Sequence, residues 1–596
     1  MARMSQHALL TAATVALSLT GFGGAALEQL AFTVTGGGKS LEGDLRDASG
    51  LIAAQKSDRT AALGLFTDAR AEYGRLLSAL YAAGHYGPVI HVLIDGREAA
   101  DIAPLDAPAV IGKIVVTVDP GPLFVFSRAA IGPLGERTVL PEGYAKGQVA
   151  KAQVIKDAVQ AGVDGWRALG FAKATVSGQD LTADHGAALL SAAVELAPGP
   201  RLRFGPLTVN GAERMRVERV VAIAGLPEGK QFSPADAARA AERLRRSGVF
   251  SSVTLTEDDL ITAPDLLGFT ADLVEMRTRR YTFGAEISSA DGAVISGSWL
   301  HRNLFGGAER FEVTGEIAGI EAQTGGADYT LGFTLDRPAT PGPDTVLNLG
   351  ASVSQINDAD TTARLATVSA GLTQYFTSNL TGRAALAFSA SQGRDAAGPY
   401  AYRSLNLPLG ATWDRRDSKT DPTKLFYIDV SAKPFVGFGA TDNGARLAFD
   451  ARAYRALGDR FVLAARVQGG AVLGADILDT PRGDLFYSGG GGSVRGQPYQ
   501  SLGAVVDDGG TAVRIGGNQY LGASLEGRVK LGDRLGLVGF VDMGLVGVQG
   551  AGSDWHAGAG LGVRYATGVG PVRLDVALPL GDGKGAQVYV GLGQSF

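Results

Sequence analysis

From Arg280 to the end of the chain, apolar and polar side chains alternate one by one over runs of about 9 to 14 residues, separated by turn-forming residues. In Arg310-Phe311-Glu312-Val313-Thr314-Gly315-Glu316-Ile317 every apolar side chain is odd-numbered and every charged one even. Val572, Leu574, Val576 and Leu578 alternate with Arg573 and Asp575, and the last segment sets Val588, Val590, Leu592 and Phe596 on one face. Alternation with period two means strands with one apolar face. Strands of soluble sandwiches run about 5 or 6 residues, whereas tilted strands that cross hydrocarbon need about 9 to 11. Lipid cannot satisfy the open edge of a sheet, so such strands must close into a barrel. The pattern predicts about sixteen antiparallel strands over 278–596, an even number as in bacterial outer-membrane barrels, with the eighth at 400–414 and the last at 587–596. Between the eleventh and twelfth lies a connection over about 474–515, long enough to be read as functional.

Ahead of that border the period changes and a repeat takes over. Val116-Thr117-Val118-Asp119-Pro120-Gly121-Pro122 returns 78 residues later as Val194-Glu195-Leu196-Ala197-Pro198-Gly199-Pro200, and a weaker copy, Val274-Glu275-Met276-Arg277, follows 80 residues further on. Each is a β-rich run, and Pro-Gly-Pro stops the first two. A helix precedes each copy and closes on glycine before a strand: Gly84-His85-Tyr86, Leu169-Gly170-Phe171 and Ser247-Gly248-Val249-Phe250. Glycine suits the left-handed position just past a helix end. Ser233-Pro234 supplies a cap and a first-turn proline for the third. The expectation is three α+β units, each strand-helix-helix-strand-strand, over 27–120, 121–198 and 199–277.

Composition sharpens the division. Of 85 glycines in 596 residues about 31 precede residue 278, so the excess concentrates in the alternating half. Charged residues are 19%, hydrophobic ones 45%, and the net charge is −5, which excludes a disordered chain and gives no basic stripe for nucleic acid. The absence of cysteine excludes thiol catalysis, disulfides and thiolate metal sites. Arg3, the apolar stretch Ala8 to Leu19 and the small residues Gly24, Ala25 and Ala26 read as a secretory signal over 1–26.

Catalytic constellations are missing. His7, His85, His91, His185, His301 and His556 are dispersed without a His-Glu-x-x-His spacing, and neither a nucleophile elbow nor a phosphate loop occurs. Asp414, Asp417 and Asp421 are interleaved with arginines and a lysine and read as a solvated turn rather than a calcium loop. No enzyme, cofactor or metal is expected.

The long connection carries Ser488-Gly489-Gly490-Gly491-Gly492-Ser493-Val494-Arg495-Gly496-Gln497-Pro498-Tyr499. By composition alone this could be a flexible solvated loop. The unit size, element order and glycine-aromatic junctions of the first region resemble POTRA domains, and Val494-Arg495-Gly496 resembles the Val-Arg-Gly-aromatic motif of the BamA–TamA superfamily of outer-membrane assembly proteins. Gln497 stands where that motif has its aromatic, with Tyr499 two positions on. Arg302-Asn303-Leu304-Phe305-Gly306-Gly307, Asp414-Arg415-Arg416-Asp417 and the terminal Phe596 fit the same family. Three units before a sixteen-stranded barrel are TamA-like, in contrast to five-unit BamA or two-unit two-partner-secretion transporters.

The resemblance implies that the loop folds into the barrel and that Arg495 meets acidic groups, for which the matching positions are Glu526 and Asp542. A guanidinium can bridge carboxylates bidentately. It implies a weak seam between the first and last strands, where Gly591 and Gly593 lower strand preference. It further implies assembly of unfolded outer-membrane proteins, autotransporters among them, in contact with outer-membrane lipids, and a TamB-type partner anchored in the inner membrane. The rivals are a two-partner-secretion-type pore exporting one polypeptide, and a diffusion porin. With no ATP motif, burial of a client's apolar face in lipid would supply the free energy.

Overall fold

The computed structural model describes residues 29–57, 61–288, 292–320, 326–357, 362–395, 398–549, 553–568, 570–581 and 585–596. The signal segment expected over 1–26 lies outside them. The chain divides into two compact units, one running to Arg203 and including Lys230–Pro234, the other comprising Phe204–Gly229 and Ala235–Phe596.

The first unit holds two α+β sheets. In the first sheet the strand Lys113–Asp119 is central, parallel to Gln29–Val34 and antiparallel to Val89–Ile94. Its inward residues Ile114, Val116 and Val118 are fully buried against Leu45, Leu51, Leu65, Leu76 and Leu80 from the helices Gly38–Ala48, Gly50–Lys56 and Ala62–Ala83. The last helix stops at Gly84, whose φ of 101° is left-handed. In the second sheet Leu189–Ala197 is central between Val125–Gly132 and Thr175–Asp184. Here the expected second helix is absent: only Ala152–Ala168 is helical, because Pro133, Gly135, Pro141, Gly143 and Gly147 break the preceding segment into turns. The first sheet departs in the other direction, with three helices and a short added strand, Arg97–Glu98.

The second unit opens with a third sheet, in which Leu266–Glu275 lies between Arg203–Asn210 and Phe250–Thr262 under the helices Val217–Ala224 and Pro234–Arg246. The run recurring along the sequence is thus the middle strand in all three sheets. That placement buries it on its inner face and explains its apolar spacing.

A large antiparallel sheet follows, from Arg279–Ser288 to Gln587–Leu592, and its order returns to the first strand. Parity governs its faces. Phe333, Val368, Phe388, Val430, Leu525, Leu561 and Leu574 point outward and are exposed, while Asp450, Glu526, Asp542 and Asp575 point inward. A continuous exposed apolar belt of this kind matches hydrocarbon rather than water. No described helix is long and apolar enough to cross a membrane.

Three expectations change here. The eighth strand is interrupted into Gly398–Asn406 and Leu409–Asp414, because Pro408 has no N–H to give its neighbour. The connection 474–515 is structured: it contains a hairpin, Ala504–Asp508 with Thr511–Ile515, and its Leu485, Phe486, Val513 and Ile515 pack inside against Phe435 and Val472. The last strand ends at Leu592, not at 596. Gly593 has a φ of 89° and gives its N–H to the Pro571 carbonyl, turning the following residues inward.

Candidate functional site

The inward connection is clamped at its base. Bridges join Phe486 to Gly517 and Ser488 to Leu502, and the Arg466 guanidinium donates to the Gly492 carbonyl at 2.9 Å. Its tip descends between strands because glycine lines both sides of the passage. A Cβ on Gly544 would lie 2.8 Å from Val494, one on Gly496 would lie 2.7 Å from the Leu578 backbone, and one on Gly558 would overlap the Arg495 carbonyl.

Arg495 is 2% exposed. Its Nε and Nη2 donate to the two Asp542 oxygens at 2.7 and 2.9 Å, and its own backbone N–H donates to the same carboxylate at 3.1 Å. Nη1 donates to Glu526 Oε1 at 2.7 Å and to Ser595 Oγ at 3.2 Å, with Asp575 Oδ2 at 3.5 Å. The face of the guanidinium lies over the Phe540 ring, 3.5 Å from its centroid. Glu526 is also paired with Arg528 at 2.8 Å, and Asp575 with Arg564 at 2.5 Å. Three buried carboxylates therefore face three buried guanidiniums, and the cluster is formally neutral. A buried charge is tolerable only under such pairing.

The residues named from the sequence divide into those the structure brings together and those it does not. Val494, Arg495, Gly496, Glu526 and Asp542 converge. Gln497 is buried and donates to the Ala557 carbonyl at 3.4 Å. Tyr499 is 46% exposed, receives a hydrogen bond from Gln500, and does not join the cluster, since the chain turns away after Pro498. The ring that packs on Arg495 comes instead from Phe540, on the strand Leu535–Gly547.

At the seam, Val590 pairs with Ile287 on one side and Leu574 on the other, Val588 with Val576, and Gly591 with Arg573. Phe596 leaves the outer face expected of it and is buried against Tyr454 and Ala464, under the Arg528 guanidinium. Ser595 donates to Glu526 at 2.5 Å, and Gln594 bridges Arg564 and Asp421, each at 2.9 Å. Tyr589 contributes its hydroxyl, which accepts from the Gly496 N–H at 3.1 Å. Asp414, Asp417 and Asp421 do not converge: they serve Arg416, Thr423 and Gln594 respectively.

Sequence reasoning missed Asp575, Arg528, Arg564, Phe540, Tyr589 and Ser595. Parity put the first five on inward-facing positions, but nothing in the spacing said which would meet the loop.

An Omp85 superfamily domain matches residues 303–596, the interval that holds this cluster. Residues 303–596 form an Omp85 superfamily domain. A curated relative, the outer membrane protein assembly factor BamA of Nitratidesulfovibrio vulgaris, is 27% identical over 409 residues, 64% of this chain and 49% of the relative. The chain thus aligns with about half the length of that relative. BamA from Haemophilus ducreyi lacking POTRA domains 1–3 superposes with a TM-score of 0.61 at 16% identity, over 79% of this chain and all of that one. CdiB from Acinetobacter baumannii gives 0.52 at 12% identity, over 80% and 90% of the two chains. These two likenesses show the fold. The Omp85 domain places the protein in the outer membrane with periplasmic POTRA domains, and its superfamily consists of assembly and transport proteins rather than enzymes.

Proposed function

We propose that this Omp85 chain is a TamA-like assembly factor, promoting insertion of unfolded β-barrel proteins, autotransporters among them, into the outer membrane. Its parts are three POTRA domains at 27–120, 121–198 and 199–277 and a closed barrel at 278–596, with the interrupted eighth strand counted once to give sixteen, behind a signal at 1–26. One observation carries the reading. Among the described residues the first strand meets the last through two residue pairs, Ile287 with Val590 and Ser288 with Tyr589, whereas it meets its other neighbour through ten. Ladder hydrogen bonds are what hold a barrel wall shut, so the wall is weakest at this seam. An incoming strand could add there, or at the edge strand Gln29–Val34 of the first sheet, by main-chain pairing that reads no particular sequence.

In this reading the loop anchor around Arg495 holds the inner wall in register while the seam opens, and a TamB-type protein anchored in the inner membrane meets the POTRA domains or the seam. A disulfide between Ile287→Cys and Val590→Cys should abolish insertion of an unfolded outer-membrane protein into proteoliposomes, with activity restored by reductant. Unchanged insertion in the oxidised protein would sink the proposal. Large steady conductance from the purified barrel, with no insertion activity, would favour a two-partner-secretion-type pore.

A further inference from the structure

The strand registers assign every described barrel side chain to the lumen or to the lipid face, because directly paired residues share a face. Starting from Glu526 and moving strand by strand, the outward positions include no aspartate or glutamate among the described residues. Outward basic side chains do occur. Arg279, His301, Arg337 and Arg455 sit near the periplasmic ends of their strands and are spread around the wall. The others, Arg364, Arg394 and Arg403, all sit toward the opposite ends of three consecutive strands, Thr362–Tyr375, Leu380–Asp395 and Gly398–Asn406, and all are exposed.

Their arrangement is contiguous. Arg364 is paired across the sheet with Gln355 on one side and Gln392 on the other. Gln392 lies two residues from Arg394 on the same face and is paired with Ala401, two residues from Arg403. Arg403 in turn faces Phe438, the last residue of its strand before the extracellular loop. Adjacent strands are spaced by about 4.8 Å and residues along a strand by about 3.3 Å, so Arg364 and Arg403, two strands across and two residues along, stand roughly 12 Å apart. Below them the same face is apolar: Ala366, Val368, Leu386, Phe388, Leu405 and Val436. A guanidinium at the top of a hydrocarbon belt can bury its stem in acyl chains and hold its head at headgroup level. There its planar fork matches a phosphate.

We propose that Arg364, Arg394 and Arg403, with Gln392 between them and Gln355 beside Arg364 on the preceding strand, form a docking site for the phosphate groups of an anionic lipid in the extracellular leaflet. The site lies on one side of the barrel, so it would fix which part of the wall keeps an ordered lipid. Arg394 keeps an interaction within the protein as well. Asp358 and Asp360, which precede Arg364 in the sequence, lie outside the described residues, and the test separates them from lipid.

The full chain is incorporated into phosphatidylcholine nanodiscs containing a minor fraction of bisphosphorylated lipid A, extracted into mild detergent, and read by native mass spectrometry. Wild type should retain lipid A in several-fold excess over its share of the bilayer. The triple variant Arg364→Gln, Arg394→Gln, Arg403→Gln should lose that excess, while Arg337→Gln with Arg455→Gln should keep it. Heat-modifiable mobility checks that each variant is folded. Equal retention by the triple variant, or equal retention of dephosphorylated lipid A, overturns the proposal. So does loss of the excess on adding inorganic phosphate alone, which would assign the site to a free ion. A triple variant that melts at a lower temperature with lipid retention unchanged would place the arginines in the service of carboxylates of the protein, and also overturns it.

Discussion

Arg495 is a cation with almost no access to water, held by Asp542 through both oxygens and by Glu526 and Ser595 through its remaining nitrogen. Removing one member of such a set leaves its partners charged and buried. Arg495→Ala should therefore cost about 3 to 5 kcal/mol in urea unfolding from detergent, well above the typical cost of a surface substitution. Arg495→Lys keeps the charge but cannot span Asp542 and Glu526 with a planar fork, so most of that loss should remain. The arginine and Asp542 share one network, and their effects should not add: the double variant Arg495→Ala, Asp542→Ala should be destabilised by less than the sum of the single variants. Additivity within about 0.5 kcal/mol would show that the pair does not act as a unit. Ser595→Ala removes one neutral partner and should cost about 1 kcal/mol in the same measurement.

At the scale of elements, the helix Pro234–Arg246 reaches the barrel turn that ends at Asp344. Arg243 donates to both Asp344 oxygens, at 2.9 and 2.5 Å, Arg246 adds a third bond at 3.1 Å, and the Arg246 guanidinium lies over the Tyr375 ring. The Arg243 hydrogen bonds, with Arg246 assisting against burial, hold the Asp344 carboxyl below the usual aspartate range. A carboxyl whose folded pKa is depressed stabilises the fold fully above its unfolded value of about 4 and loses that contribution as the pH falls through the folded value. Asp344→Asn should thus melt below wild type at neutral pH, and the gap between the two should close as the pH is lowered below about 4. A gap that stays constant down to that pH would show that the ion pairs contribute nothing through charge. Glycine at the same scale decides where elements stop: Gly84 closes a helix and Gly593 closes the last strand, each at positive φ.

For the whole molecule, the faces of the large sheet set opposite tolerances. Val368 is 56% exposed in the middle of the apolar belt, and its neighbour Thr367 points into the lumen, hydrogen-bonded to Ser389. An arginine at Val368 would face hydrocarbon at a cost of about 2 to 4 kcal/mol, while one at Thr367 would face the polar interior. Val368→Arg should lower the folded fraction in lipid bilayers, read by heat-modifiable mobility, and Thr367→Arg should leave it close to wild type. Equal effects would mean that the outer belt does not meet lipid. The seam and the loop anchor also belong to this scale. Tyr589 pairs with Ser288 across the seam and binds Gly496 of the loop, and Ser595 just beyond the last strand binds Glu526, so the weakest part of the wall is tied to its most tightly paired interior cluster.

What the sequence determined by itself follows from periodicity and backbone chemistry. Alternation of Val572, Leu574 and Val576 with Arg573 and Asp575 specifies a strand with an apolar and a polar face, because successive side chains must point to opposite sides. The recurrent runs at Val116, Val194 and Val274 specify three sheets, because a middle strand needs an apolar inner face. The glycines flanking Arg495 mark a close approach. Tertiary structure alone decided the rest. Which inward charges meet Arg495 depends on how its loop docks against strands more than 30 residues further along the chain, and Asp575 and Phe540 carry no local mark of that meeting. Residues 593–596 read as strand by pattern, yet buried Glu526, Arg528 and Arg564 draw them inward, since hydrogen bonds and charge pairs in a dry interior outweigh continuing a ladder that has almost no partner at the seam. Pattern fixes which side a residue faces; only closure of the sheet fixes what it faces there.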